Sequence, residues 1–253
     1  MPWDPNKYNE FKKERYKPFF DLISHLQDAA NLAVIDLGCG TGELTQILSE
    51  KLTSATVLGI DNSASMLAEA PVGISNLSFQ EKTIERQLSE STKWDVIVAN
   101  ASLQWIDNHE ILIPQIIKLL NPHGQLAIQM PSQTENILNK LLLELIQEEP
   151  FNTALNAWKR TSPVLSLDEY ATILFNNGGK EMNVYQKIYP IIAQSHQQLY
   201  DFISGSSLVP YFERLNGEHI ALLESTFKTR IALQFPSLPA IYAFKRIIIY
   251  ARF

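Results

Sequence analysis

An α/β fold on a mostly parallel sheet is predicted by three features of the sequence. Short apolar runs rich in Val, Ile and Leu alternate with helical patterns along the first half of the chain. A glycine-rich loop, "GCGTG" at 38–42, follows the first of these runs directly. The fourth run, "WDVIVANA" at 94–101, is apolar enough to be buried on both faces, as strands of a parallel sheet are.

The elements follow in order. "LAVID" at 32–36 reads as the first strand, with a helix from about Gly42 to Lys51 behind it. "TVLGID" at 56–61 is the second strand, and "SASMLAEA" starts a helix with Ser63 as its N-cap. "LSFQEKT" at 77–83 is a weaker third strand, and 94–101 the fourth. "HEILIPQIIKLL" is helical, "NPHG" closes it with turn residues, and "QLAIQMP" at 125–131 is the fifth strand.

After Pro131 the rhythm changes. "ENILNKLLLELI" sets Ile137, Leu138, Leu141, Leu142, Leu145 and Ile146 on one helical stripe. "SLDEYATILFNNGG" is a capped helix with a glycine stop, followed by a strand at 182–192. Helices are expected from about His196 to Phe212 and from about Gly217 to Phe227, and "AIYAFKRIIIYARF" closes the chain as a strand. The whole reads as a single domain of 1–253: a binding core at about 31–131, helical insertions at about 133–162 and 196–235 forming a lid, and closing strands at about 182–192 and 241–253.

Composition narrows the function. The chain has 253 residues, 45% hydrophobic and 19% charged, enough for one large core or at most two small ones. A net charge of −6 argues against binding nucleic acid through phosphate contacts. The single cysteine, Cys39, excludes an internal disulfide and a metal-ligand cysteine pair, so no metal is expected. The opening "MPWDPNKYNEFKKERYKPFF" has no apolar run of signal-peptide length, and no stretch approaches the roughly 18 apolar residues that span a bilayer. A cytoplasmic monomer, free of membrane and nucleic acid, is the expectation.

The loop carries the chemistry. Glycines at 38, 40 and 42 remove side chains where something approaches the backbone closely. A phosphate-binding P-loop needs Lys and Ser or Thr after the last glycine, whereas Glu43 and Leu44 stand here. A dinucleotide loop has G-x-G-x-x-G, with pyrophosphate at the helix N-terminus. Here the spacing is G-x-G-x-G between Asp36 and Glu43, and acids suit a cation better than a pyrophosphate. Asp61, about 20 residues on, can accept from both ribose hydroxyls. The site fits a ligand with a ribose and no pyrophosphate, a composition that S-adenosylmethionine has.

"VIDLGCGTGELT", "GIDNSASMLAEA", "WDVIVANASLQWI" and "LNPHGQLAIQMP" resemble the successive motifs of class I S-adenosylmethionine-dependent methyltransferases. A narrower likeness covers most of the chain. "WDPNKYNEF", "VANASLQW", "AIQMP", "QSHQQLYDF" and "FKRIIIYARF" resemble the trans-aconitate methyltransferase family. Related carboxyl methyltransferases, including the malonyl-carrier-protein enzymes, share "LQW" and less of the rest. The resemblance implies a Rossmann-like sheet of seven strands, the last antiparallel, and methyl-ester formation on a small polycarboxylic acid. A methyltransferase-like protein that binds the cofactor without turnover is the other reading.

Residue by residue, the resemblance places Gly38, Cys39 and Gly40 along the amino-acid tail of the cofactor, with Asp36 ordering the loop or meeting the ammonium. Asp61 takes the ribose; Asn62, Met66, Thr83 and Ile84 lie by the adenine; Asn100 and Ala101 pass the methionine part. Thr83 stands where the family pattern has an acid. Gln104 and Trp105 face adenine or substrate. Tyr8 and Arg15 match the opening pattern, and Arg15 is the first candidate for a carboxylate clamp. His196, Tyr200, Tyr211 and Arg214 are further candidates, while Val209 stands where the family carries an Arg. No catalytic side chain is expected: a carboxylate is already ionised at neutral pH, so orientation and exclusion of water suffice.

Overall fold

The computed structural model describes the backbone of residues 12–253, with side chains from Tyr16 onward. In chain order the elements are α1 (Lys12–Ser24), β1 (Ala33–Leu37), α2 (Glu43–Lys51), β2 (Thr56–Asp61), α3 (Ala64–Leu67), β3 (Leu77–Glu81), α4 (Ile84–Leu88), β4 (Trp94–Asn100), a 3-10 turn at Leu103–Trp105, α5 (His109–Ile117) and β5 (Leu120–Pro131). Then come α6 (Ile137–Leu145), α7 (Phe151–Ala154), α8 (Leu167–Asn176), β6 (Met182–Ala193), α9 (His196–Ser204), α10 (Val209–Phe212), α11 (Gly217–Gln234) and β7 (Ala240–Arg252). The seven strands form one sheet in the order β3-β2-β1-β4-β5-β7-β6. Strands β1 to β5 pair in parallel, and β7 runs antiparallel to β5, from Gln125 opposite Arg252 to Pro131 opposite Arg246.

The strand order reverses between β1 and β4. At such a switch point the loops leaving two neighbouring strands diverge, opening a crevice at the C-terminal ends. The loops that diverge here are 38–42 and 101–105.

The chain clusters into two units. The sheet unit comprises Tyr16–Pro131, Pro163–Lys187 and Arg246–Phe253. Its strands bury both faces by alternation: Ile35, Leu37, Ile97, Leu126 and Ile128 join one apolar layer with α5 and α8, while Val34, Val96, Val98, Ala127 and Ile248 join the other with α1 and α2. Burial on both sides explains why these strands read as unbroken apolar runs. The other unit comprises Met1–Arg15, Ser132–Ser162 and Ile188–Lys245. It has its own core, in which Leu138, Leu142 and Leu145 of α6 meet Leu223, Phe227 and Ile231 of α11. Both expected helical insertions, 133–162 and 196–235, fall in this unit.

Several boundaries differ from the sequence reading. "NPHG" is not a closing turn: the β4–β5 register jumps from Trp94–Leu120 to Val96–Gln125, so Asn121–Gly124 is an inserted bulge, with His123 at φ 68°. Asp95 holds it, accepting from Asn121 Nδ2 at 2.8 Å while its other oxygen accepts from the Ala33 amide at 2.8 Å. The helix expected over 196–212 breaks at Gly205–Leu208, where Gly, two serines and the approach to Pro210 weaken it. α11 runs seven residues past Phe227; exposed Leu222 and Leu233 lie off its buried stripe of Leu223, Phe227 and Ile231 and blur the helical period in the sequence. α4 and α7, five and four residues long, are too short to carry a periodic signal.

His109 opens α5 and has no solvent exposure. A carbonyl can only accept, so the Nε2 that lies 3.0 Å from Leu103 O carries the proton. Nδ1 then accepts from Tyr170 OH at 2.5 Å, and that hydroxyl accepts from the Leu165 amide at 3.2 Å. The relay pins the 103–105 turn to α8, and it needs neutral histidine. Burial is the main cause that lowers the His109 pKa.

The unfolded chain therefore takes up a proton that the folded chain resists. Stability contributed by His109 is present above the unfolded value of about 6.5 and is lost as pH falls below it. Urea unfolding from pH 7.5 to 5.5 is expected to show wild type losing stability relative to His109→Gln. A difference that stays flat across that range would contradict the neutral relay.

Candidate active site

The three glycines have three different physical reasons. All adopt the left-handed backbone, at φ 78°, 58° and 73° for Gly38, Gly40 and Gly42. A Cβ on Gly38 would lie 2.4 Å from Ser102 Cβ, so this glycine admits the loop that follows β4. A Cβ on Gly42 would enter the Phe79 ring at 2.4–2.5 Å, and one on Gly59 would meet the same ring at 2.7–2.8 Å. Gly40 is open: its nearest neighbour would be Met66 Sδ at 3.7 Å. Of the three, only Gly40 leaves space that a ligand can use.

Asp61, the last residue of β2, organises the loop. Its Oδ2 accepts from the Gly40 amide at 2.8 Å and its Oδ1 from the Ser63 amide at 2.9 Å. Each oxygen keeps a further lone pair. Gly38 and Cys39 add amide bonds to Ile60 O at 2.8 and 2.9 Å. Ser63 caps α3 as expected, accepting from the Met66 amide at 3.3 Å, and Asn62 beside it is exposed.

Asp36 lies beneath the loop, 2% exposed. Its Oδ2 accepts from Thr45 Oγ1 at 2.7 Å, and its Oδ1 has no partner among the described residues. Burial pushes the Asp36 carboxyl up to about 6, the charge of Asp61 adds to this, and the Thr45 bond opposes it. The Cys39 thiol is driven up by burial and by both carboxylates, so it stays protonated and is no nucleophile.

From β4, half-buried Asn100 stands opposite Gln129 of β5. Ala101 takes φ 54°, with its amide on Gln129 O at 2.8 Å. Ser102 Oγ donates to Leu37 O at 2.5 Å, joining the loops after β1 and β4. Gln104 is buried with its Nε2 on Ala101 O at 2.7 Å, whereas Trp105 is 44% exposed. Thr83 is exposed and caps α4, its Oγ1 accepting from the Arg86 amide at 3.2 Å; Ile84 is buried in the core.

Tyr8 and the Arg15 side chain lie outside the described residues. His196, Tyr200, Tyr211 and Arg214 belong to the other unit, and each has an internal partner. His196 Nε2 meets Phe235 O at 2.8 Å, and Tyr200 OH donates to Glu224 beneath the Lys228 ammonium. Tyr211 OH accepts from the Arg160 amide at 3.4 Å, and Arg214 lies 3.8 Å over Trp158. Val209 opens α10. Phe79, Gly59, Thr45 and Ser102 were missed by the sequence reading, since each acts through a partner distant along the chain.

A family profile described as "Methyltransferase domain" matches residues 28–194. Trans-aconitate 2-methyltransferase of Deinococcus radiodurans is 35% identical over 99% of this chain and 98% of its own. The enzyme of the same name from Escherichia coli strain SE11 is 31% identical over the same shares. The chain belongs to the trans-aconitate methyltransferase family. Among solved structures, the YcgJ protein of Bacillus subtilis superposes with a TM-score of 0.59 at 15% identity, covering 94% of this chain and 98% of that one. Phosphoethanolamine N-methyltransferase 2 of Haemonchus contortus, solved with S-adenosylmethionine, superposes with a TM-score of 0.55 at 15% identity, over 93% of this chain and 52% of that one. At such identities these two speak for the fold alone.

The residues present fit the cofactor of this family. The ammonium of a zwitterionic amino-acid tail suits the orphaned buried oxygen of Asp36 and the open face of Gly40, and the spare lone pairs of Asp61 suit hydroxyl donors. Among the described residues no cluster of His, Cys, Asp or Glu could hold a metal ion, and no helix is long and apolar enough to cross a membrane.

Two outcomes follow from this geometry. A folded-state pKa raised to about 6 means that Asp36 favours folding at low pH, and that this contribution is lost as pH rises from about 4 through 6, roughly 3 kcal/mol in all. Asp36→Asn is therefore expected to raise the stability of the ligand-free protein at pH 7.5, and to weaken S-adenosylhomocysteine about 10- to 100-fold by calorimetry. Wild-type affinity should tighten as pH rises through about 6, and the variant's should not. Gly42→Ala should cost about 2–4 kcal/mol from backbone strain and the Phe79 clash, and the double variant with Phe79→Ala should be less than additive in urea unfolding.

Proposed function

We propose that this chain transfers the methyl group of S-adenosylmethionine to a carboxylate of trans-aconitate, forming a methyl ester. The observation that carries the reading is end-to-end similarity to enzymes of that name, and a glycine loop held by half-buried Asp61 over buried Asp36 supports it.

S-adenosylmethionine would supply, when bound, a sulfonium methyl group that an oxygen nucleophile can take up in line, the S–CH3 bond breaking and the sulfur leaving as the neutral thioether of S-adenosylhomocysteine. The chain need not remove a proton, because carboxyl groups with pKa values near 4 are ionised at neutral pH. Its work is orientation and the exclusion of water. In this reading Gly38, Cys39 and Gly40 hold the amino-acid tail and Asp36 its ammonium. Asp61 holds the ribose, and Asn62, Met66, Thr83 and Ile84 flank the adenine. The Thr83 oxygen accepts from the Arg86 amide and keeps one lone pair and its hydroxyl proton for the base. The protonated Cys39 thiol does not compete for the methyl group. For the acid, Arg15 and Tyr8 are the candidates to supply a charged and a hydroxyl partner to carboxylates that do not react, and Gln104 and Trp105 are the candidates from the sheet unit.

The test is methyl transfer from labelled S-adenosylmethionine to trans-aconitate, cis-aconitate, isocitrate, citrate and malonyl-carrier protein, with base-released methanol reporting the ester. Label on trans-aconitate above the other acids is expected, and Arg15→Ala should then raise its KM about 10- to 100-fold with a smaller change in kcat. Label on another acid alone, or on none despite tight cofactor binding, overturns the substrate.

A further inference from the structure

A polar chain of fixed direction runs through the sheet unit beside the site. Arg246, at the start of the part of β7 that pairs with β5, is 7% exposed. Gln129 of β5 is fully buried, and Asn100 ends β4 opposite it. The Arg246 Nε–H and the Met130 amide can only donate. The Gln129 amide must therefore turn its oxygen to both, at 2.8 and 3.2 Å, and its nitrogen then donates to Asn100 Oδ1 at 2.8 Å. That choice fixes the next amide in turn. Asn100 spends its oxygen on Gln129 and keeps Nδ2 as a two-proton donor.

The location gives this donor a use. Asn100 is half-buried at the C-terminal end of β4, where the strand order reverses. The residues just after it turn back against the glycine loop through Ser102, which bonds Leu37 O and fills the space beside Gly38. A donor whose polarity is set from behind by a buried guanidinium suits an anionic acceptor, and the ligands of the proposed reaction offer carboxylates.

We propose that Arg246 and Gln129 are positioning residues that hold the Asn100 amide with its nitrogen toward a ligand carboxylate, either the amino-acid carboxylate of the cofactor or one on the acid substrate. The second source rests on the function proposed above; the first does not. In either case the discrimination is by polarity. An oxygen presented in place of Nδ2 would repel a carboxylate, so an isosteric change that reverses one amide removes the effect without opening a cavity.

Two substitutions do this from opposite ends. Asn100→Asp keeps an acceptor for Gln129 and removes the donor. Gln129→Glu keeps the acceptor for Arg246 but cannot donate, so Asn100 must turn its nitrogen inward. Both are expected to weaken carboxylate recognition about tenfold or more with the urea midpoint little changed. Calorimetry with S-adenosylhomocysteine and with its decarboxylated analogue, without turnover, reads the cofactor arm: the loss should appear for the first ligand and not for the second. The KM for trans-aconitate reads the substrate arm, where it should rise while kcat and S-adenosylhomocysteine affinity hold. A loss in either arm supports the proposal. Arg246→Lys should retain most of the effect and Arg246→Met should not, a contrast that a purely structural role does not require.

Unchanged values in both arms for Asn100→Asp overturn the proposal, even if Gln129→Glu does not fold. Failure of wild type to methylate trans-aconitate would instead remove the proposed function and leave the calorimetric arm readable.

Discussion

The carboxylate of Asp61 is the joint on which the site depends. One oxygen holds the Gly40 amide and the other the Ser63 amide, so a single side chain at the end of β2 sets both the glycine loop after β1 and the entry to α3. Charge-assisted bonds of this kind are among the stronger ones available to a loop. They also leave the acid with spare lone pairs, so that one group can order the backbone and still receive hydroxyl donors. The glycines around it differ in their surroundings: Gly38 meets Ser102, Gly42 meets Phe79, and Gly40 faces open space.

The buried ionisable groups of the sheet unit show the tension between stability and binding. Asp36 is nearly inaccessible, shares one oxygen with Thr45 and leaves the other unpaired, which makes its ionised form expensive in the ligand-free protein. A cation in the site would offset that cost. An acid that destabilises the free fold and is relieved by ligand converts folding free energy into affinity, a trade that natural binding sites commonly carry. The same low-polarity surroundings keep Cys39 protonated and its sulfur unreactive.

Two polar relays share a logic. In each, a group that can act in only one sense settles the orientation of an ambiguous neighbour. The Leu103 carbonyl decides the tautomer of His109, and the Arg246 and Met130 donors decide the amide of Gln129. Both relays end at the C-terminal end of β4, one on Asn100, its last residue, and the other on the turn at Leu103–Trp105 that follows. Buried networks of this type are rigid because each reversal leaves an unpaired group in a poorly polar interior.

The parallel core was legible in the sequence because two-sided burial forces unbroken apolar runs. β2 at Thr56–Asp61 was read to the residue, and the Ser63 cap and the Ser166–Glu169 capping box follow from local chemistry alone. The loop was legible for a different reason: Asp36, the glycines and Asp61 form a spacing pattern. What tertiary structure decided was whatever depended on a partner far along the chain. Nothing near Gly42 points to Phe79, nothing near Asn100 to Arg246, and nothing in "NPHG" distinguishes a turn from a bulge stitched by Asp95. The split after Ser204 and the length of α11 were likewise settled by packing, since their own periodicity is thin. Local pattern determines which backbone forms; the direction of each hydrogen bond and the reason for each glycine are set by neighbours that only the folded chain brings together.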